Sequence, residues 1–185
     1  MTALDDATVA ILCADGVEQV EVVAPRDALA GAGATVDLLS PDSEDVRGYH
    51  YIKSKDMLPV RGSIAEADPE RYTAAVLPGG LGGPDTLRTD ETALRFVRGI
   101  AASGKPIAVI CHGPWLLLDA DLLRGRSLTC AAALRTDVRN GGATYVDEET
   151  HVDATGKPVL ISGRNFEAAG AFADAVLGVL SRETR

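Results

Sequence analysis

Residues 108–117 read AVICHGPWLL. An apolar run ends at Cys111-His112-Gly113, and Pro114 opens a second apolar run at the helix position where a missing N–H costs nothing. The stretch therefore joins a buried strand to a helix, with a thiol and an imidazole set at the turn. The pattern recurs on both sides of it. TVAILC (8–13) is closed by ADG and followed by VEQVEVVAPRDALAGAG, whose apolar residues fall at helical spacing. TVDLLS (35–40) stops at Pro41, and TAAVLPGG (73–80) stops at Pro-Gly-Gly ahead of DETALRFVRGIAASGK, which has one apolar face at the helical period. Beyond the join come a strand in SLTC, a helix in ALRTDVRNGG, a β-pair in TYVDEETHVD and KPVLISG, and a C-terminal helix from about Asn165. Alternation of strand and helix predicts right-handed crossovers, and so an α/β three-layer sandwich with a mainly parallel sheet and helices on both faces. Residues 41–72 are polar and irregular. They read as an excursion from the sheet, with a short hairpin around MLPVRG, inside a single domain spanning residues 1–185.

Composition narrows the partners. The 185 residues are 46% hydrophobic but only 4% aromatic, a mix suited to close packing of helices on a parallel sheet. A formal charge of −9 with no block of Lys or Arg gives no electrostatic footprint for nucleic acid or an anionic membrane. The N-terminal MTALDDATVAILCADG lacks a basic leader, and no apolar run reaches the length of a membrane span, so the expected compartment is the cytoplasm. There the three cysteines, Cys13, Cys111 and Cys130, are expected as reduced thiols, since an odd count without metal-like spacing fits neither a disulfide framework nor a zinc site. No ligand cluster or phosphate-binding glycine motif calls for a metal or an organic cofactor.

In open α/β sheets ligands bind beyond the carboxyl ends of the strands, where Cys111 falls. A helix N-terminus favours negative charge, so the thiol is expected to have a lowered pKa, and a tight strand-to-helix turn resembles a nucleophile elbow. The alternative is a small, inert core cysteine. His112 is adjacent in sequence, but only the turn geometry can bring its ring to the sulfur. LPGG (77–80) offers backbone N–H groups for an oxyanion pocket, though Pro-Gly-Gly is also ordinary turn chemistry. Glu18, after the first strand, either shares the mouth of the sheet with Cys111 or simply complements a helix start. For His50 and His151, with no motif around them, the structural reading is preferred.

Taken together, ADGVEQVE, AAVLPGG, GPDTLR, GKPIAVICHGPWLL, RTDVRNGGATYVDEE and ISGR, in this order, resemble the PfpI branch of the ThiJ/PfpI family over nearly the whole chain. The resemblance implies a flavodoxin-like sandwich of the class I glutamine amidotransferase-like superfamily, assembled as homodimers or larger rings of dimers. It implies a nucleophile at Cys111 with His112 beside it, Glu18 as the acid that hydrogen-bonds the sulfur, and Gly80 with the His112 N–H as oxyanion-stabilising backbone. It also implies that Asp85 orients the histidine from a neighbouring subunit. Its activities are those of glutathione-independent glyoxalases, protein deglycases and intracellular peptidases, acting on small carbonyls or on glycated or peptide substrates. A non-enzymatic alternative is a redox-responsive stress protein with Cys111 as sensor. Two departures fall near the expected pocket: Ala131, after the unusual Cys130, stands where relatives carry an aromatic or histidine, and Phe166-Glu167 replaces a Pro-Asp segment.

Overall fold

The structure, a computed structural model, describes residues 4–183. The chain runs β1 (Thr8–Leu12), β2 (Val17–Glu18), α1 (Gln19–Gly31), β3 (Thr35–Ser40), β4 (Val46–His50), β5 (Lys53–Leu58), β6 (Gly62–Ser63), β7 (Ala74–Leu77), α2 (Gly82–Leu87) and α3 (Glu91–Ala102). It continues through β8 (Ile107–Ile110), α4 (Pro114–Asp119), β9 (Ser127–Leu128), α5 (Arg135–Asn140), β10 (Thr144–Tyr145), β11 (Thr150–Asp153), β12 (Leu160–Gly163) and α6 (Ala169–Glu183).

The main sheet has seven strands in the order β11-β12-β8-β7-β1-β3-β6. Every neighbouring pair is parallel except β11 with β12. Strands β7, β8 and β12 are buried along their whole length, because helices cover both faces and leave no side for polar alternation. One face packs Ile11, Val22, Leu29, Phe172 and Val176 with α1 and α6; the other packs Phe96, Val97, Ile100, Leu116 and Leu117 with α3 and α4. Asp90 caps α3 by accepting the N–H groups of Thr92 and Ala93. The strand order turns back at β1, with β3 on one side of it and β7 on the other. Loops leaving β1 and β7 therefore diverge and open a crevice at the carboxyl edge.

Three local expectations are corrected. The hairpin of the 41–72 segment is β4–β5, turning at Tyr51-Ile52, and not at MLPVRG. Pro59 has no N–H to give, while Val60 N–H donates to Asp45 Oδ1 and Arg61 N–H to the Leu38 carbonyl, so MLPVRG is drawn out as the passage from β5 to β6. The helix after Pro114 is only six residues long, because Asp121 takes a left-handed φ of 58° soon after its end. The SLTC strand pairs with β10 in a two-stranded ribbon outside the main sheet. Among the described residues no helix is long and apolar enough to cross a membrane.

Candidate active site

Cys111 follows the last residue of β8 and has φ +60°, a left-handed conformation that costs an L-residue roughly 1–2 kcal/mol. The surrounding backbone holds it there. Cys111 N–H donates to the Gly163 carbonyl at 3.1 Å, the Cys111 carbonyl accepts from Ala131 N–H at 3.0 Å, and Gly113 N–H donates to the Ile110 carbonyl at 2.8 Å. Two glycines make room for the turn. A Cβ on Gly113 would strike the Leu77 carbonyl, and one on Gly79 would lie 2.5 Å from Cys111 Cβ, 2.6 Å from Glu21 Oε2 and 2.8 Å from His112 N. A strained cysteine at a tight strand-to-helix turn is thus present, with backbone from the ends of β7 and β12 packed round it, the geometry of an elbow.

His112 does reach the thiol. Its Nδ1 is 3.2 Å from Cys111 Sγ. Its ring stands edge-on to Trp115 at 5.0 Å; Trp115 in turn donates Nε1–H to Asp137 Oδ2 at 3.1 Å and carries the Arg88 guanidinium over its face. Burial lowers the pKa of His112 and the Asp137 charge opposes this, so the ring is a neutral imidazole able to accept a proton. The N–H groups of Gly80 and His112 both serve the Cys111 sulfur.

The carboxyl beside the sulfur belongs to Glu21, and this corrects the assignment of Glu18. Glu21 is fully buried in the first turn of α1, where helical side chains tilt back toward the N-terminus and so into the crevice. Its Oε2 accepts the Gly79 N–H at 2.7 Å, and its carboxyl is hydrogen-bonded to Cys111. Oε1 is buried with no hydrogen-bond partner of its own, so the carboxyl keeps one position that can turn to the sulfur. Burial pushes the Glu21 pKa up to about 8, with the nearby Glu18 charge adding to the effect and the Gly79 N–H opposing it. Glu21 is therefore protonated at neutral pH. Glu18, three residues earlier, ends β2 and turns the other way: Oε1 accepts from His50 Nδ1 and Oε2 from Tyr51 N–H, each at 2.9 Å.

The expected lowering of the Cys111 pKa is not what the single chain shows. Burial pushes the thiol up and an ionised Glu21 pushes it further, against the two N–H groups that stabilise the anion. With only six residues, α4 contributes little dipole to offset burial. Burial also pushes the Cys13 and Cys130 thiols up to about 12. Cys130 is fully buried, its S–H directed at the Ala131 carbonyl, while the Ala131 N–H holds the elbow. Asp85 lies exposed in the first turn of α2, and its carboxylate has no side-chain partner among the described residues. His151 joins Glu148 Oε2 and Ser127 Oγ at 2.9 Å each and pins β11 to β9.

These features define a class: an α/β protein with a cysteine elbow, an adjoining imidazole and a buried protonated carboxyl at the sheet's switch point. The sequence profile of the DJ-1/PfpI family matches residues 7–178, and the chain belongs to that family. It is 36% identical over 173 residues to protein/nucleic acid deglycase 2 of Escherichia coli, covering 93% of this chain and 96% of that one. It is 37% identical over 146 residues to a deglycase of Thermococcus kodakarensis, covering 78% and 84%. The crystal structure of Drosophila melanogaster DJ-1beta superposes with a TM-score of 0.84 at 26% identity, over 95% of this chain and 91% of that one.

Proposed function

We propose that the chain is a cofactor-independent cysteine enzyme that acts on reactive α-oxoaldehydes and on their early adducts with amines. The observation that carries this is the Cys111 elbow, with His112 Nδ1 at 3.2 Å from the sulfur and protonated Glu21 behind it. His112 accepts the thiol proton, and the sulfur adds to the aldehyde carbon to give a hemithioacetal whose oxygen takes a proton back. Moving the hydrogen from the former aldehyde carbon to the adjacent ketone carbon, with a matching proton transfer at oxygen, gives the thioester of a hydroxy acid. Water then releases the acid and restores the thiol. One carbon is oxidised and its neighbour reduced, so no external oxidant is needed. Cys111 is only 9% exposed, which suits a small carbonyl better than an extended peptide. The two deglycase relatives support the same substrate class.

We further propose that the working form is a homo-oligomer in which Asp85 of a second copy faces His112, since Asp85 is exposed and unengaged in its own chain. The test of the function is methylglyoxal loss with lactate formation, no thiol being added, by wild type and Cys111→Ala. Lactate from wild type alone supports the assignment. Cleavage of a fluorogenic peptide without lactate would replace it with the peptidase reading. Failure of both, with Cys111 oxidised selectively by peroxide, would replace it with the sensor reading.

A further inference from the structure

Glu18 and His50 form an imidazole–carboxylate pair apart from the sulfur. Glu18 has a side chain only 6% exposed, and both its oxygens are committed, one to His50 Nδ1 and one to Tyr51 N–H. The carboxylate fixes the ring's orientation and its tautomer, with the proton on Nδ1 and Nε2 left free. Nε2 makes no hydrogen bond among the described residues, and the His50 side chain is 45% exposed. Phe166 and Tyr51 stand edge-on to the ring at 5.0 and 6.0 Å.

The backbone ties this pair to the elbow. Glu18 N–H donates to the Gly79 carbonyl at 3.1 Å, and Gly79 is the residue that abuts Cys111 Cβ and the Glu21 carboxyl. Val17 bridges to Gly80, whose N–H serves the sulfur. From the other side, Phe166 comes three residues after Gly163, the residue that accepts the Cys111 N–H.

We propose that the Glu18–His50 pair handles the amine end of an adduct, protonating the nitrogen as sulfur displaces it. This deepens the reading of the site as a carbonyl-adduct enzyme and rests on it. An amine adduct of an α-oxoaldehyde has a carbon bearing hydroxyl and amine. When Cys111 replaces the amine, a C–S bond forms, the C–N bond breaks, and the thiol's proton equivalent must end on nitrogen. His112 lies against the sulfur and is placed to take that proton, but the departing amine leaves from the opposite side of the carbon. A protonated His50 supplies the amine from Nε2, and the proton held by His112 returns to the medium while His50 is recharged from it. The rings of Phe166 and Tyr51 offer apolar surface for the alkyl chain of the side chain that carries the amine. Free α-oxoaldehyde has no amine to expel and makes no use of this step.

The experiment compares two substrates, methylglyoxal and its freshly formed adduct with Nα-acetyl-lysine, by lactate and free-amine release. The ratio of adduct rate to free-aldehyde rate is expected to fall by at least about tenfold in His50→Phe, a conservative figure for loss of a general acid. His50→Gln keeps an N–H donor but cannot transfer a proton, so the same fall is expected there, and a recovered ratio in this variant would mean a merely structural role. Glu18→Gln, which leaves the ring without its carboxylate, is expected to fall in the same direction. Wild type active on both substrates, with an unchanged ratio in the variants, would overturn this assignment alone. So would wild type active only on free methylglyoxal. Wild type inactive on both would overturn the functional reading and this one together.

Discussion

Glu21→Gln tests the electrostatics of the site most directly. The pKa of Glu21 is raised from an ordinary 4.5 to about 8, chiefly by burial. In the unfolded chain the carboxyl loses its proton near 4.5, whereas in the folded chain it keeps it up to about 8. The folded state binds more protons between those values, so the contribution of Glu21 to stability is fully present below 4.5 and is lost as pH rises through 8. At about 1.4 kcal/mol per pH unit, wild type should lose about 3.5 kcal/mol more than Glu21→Gln between roughly pH 5 and pH 8. Glutamine is the right probe because its carbonyl can accept the Gly79 N–H while its amide donates to sulfur, as the protonated acid does. Urea denaturation of both proteins at several pH values gives the two curves. A parallel pair in a Cys111→Ala background separates burial of the carboxyl from its coupling to the thiol. Parallel curves for wild type and Glu21→Gln in both backgrounds would refute the claim that Glu21 is folded in its protonated form.

Other outcomes follow from the same geometry. Gly79→Ala should retain secondary structure but lose at least about tenfold in activity, since its Cβ would come within 2.5 Å of Cys111 Cβ, 2.6 Å of Glu21 Oε2 and 2.8 Å of His112 N and force one of them to shift; wild-type rates with an unchanged circular dichroism spectrum would count against the packing argument. Iodoacetamide should label Cys111 ahead of Cys13 and Cys130, which are 1% and 0% exposed against 9% for Cys111, and peptide mapping that found either of the others first would remove Cys111 from its role. Asp85→Ala and Cys111→Ala homodimers should each be inactive, and their equimolar co-refolded mixture should recover roughly a quarter of wild-type activity, because half the random dimers are mixed and each then holds one complete site of two. No recovery from confirmed hybrids would place Asp85 outside a shared site.

The sequence shows the fold through its buried strands. AAVL, IAVI and LISG are uninterrupted small and branched residues, which only a sheet covered on both faces can use, and Gly-Gly or Cys-His-Gly at their ends mark the carboxyl edge. The elbow at Cys111 was legible for the same reason. The carboxyl was not, because VEQVEVV offers two glutamates three residues apart, and the choice turns on where the strand stops. Helix α1 begins at Gln19, so Glu18 belongs to an extended residue pairing with β4, and Glu21 to a first turn whose side chains lean back over the strand ends. The apolar flank of Glu21 carried a signal that could have found it: a lone acid among Val20, Val22 and Val23 is a candidate for burial, whereas Glu18 follows a loop. The β4–β5 hairpin was misplaced because its turn, Tyr51-Ile52, lacks turn residues, and Tyr51 takes a left-handed φ of 58° without glycine. The partner of His50 depended on that hairpin and so lay beyond the sequence.

The site places two acids where there is room for one charge. Cys111 and Glu21 are both buried and share a hydrogen bond, so ionising both in that space is strongly opposed. Where the single charge settles depends on the donors each group collects and on its own acidity. A carboxylate at Glu21 has the Gly79 N–H and, from the thiol, a weak S–H donor. A thiolate at Cys111 has the N–H groups of Gly80 and His112 and, from the protonated acid, a strong O–H donor. The donors favour sulfur while the greater intrinsic acidity of a carboxyl favours oxygen, and in the resting chain the carboxyl is the first of the two to ionise, at about 8. Burial that raises both pKa values therefore does not by itself bar Cys111 from the nucleophilic role proposed for it. It keeps the proton on Glu21 up to about pH 8, where that proton can be donated to sulfur as charge develops on it, beside the Gly80 and His112 N–H groups that stabilise the anion.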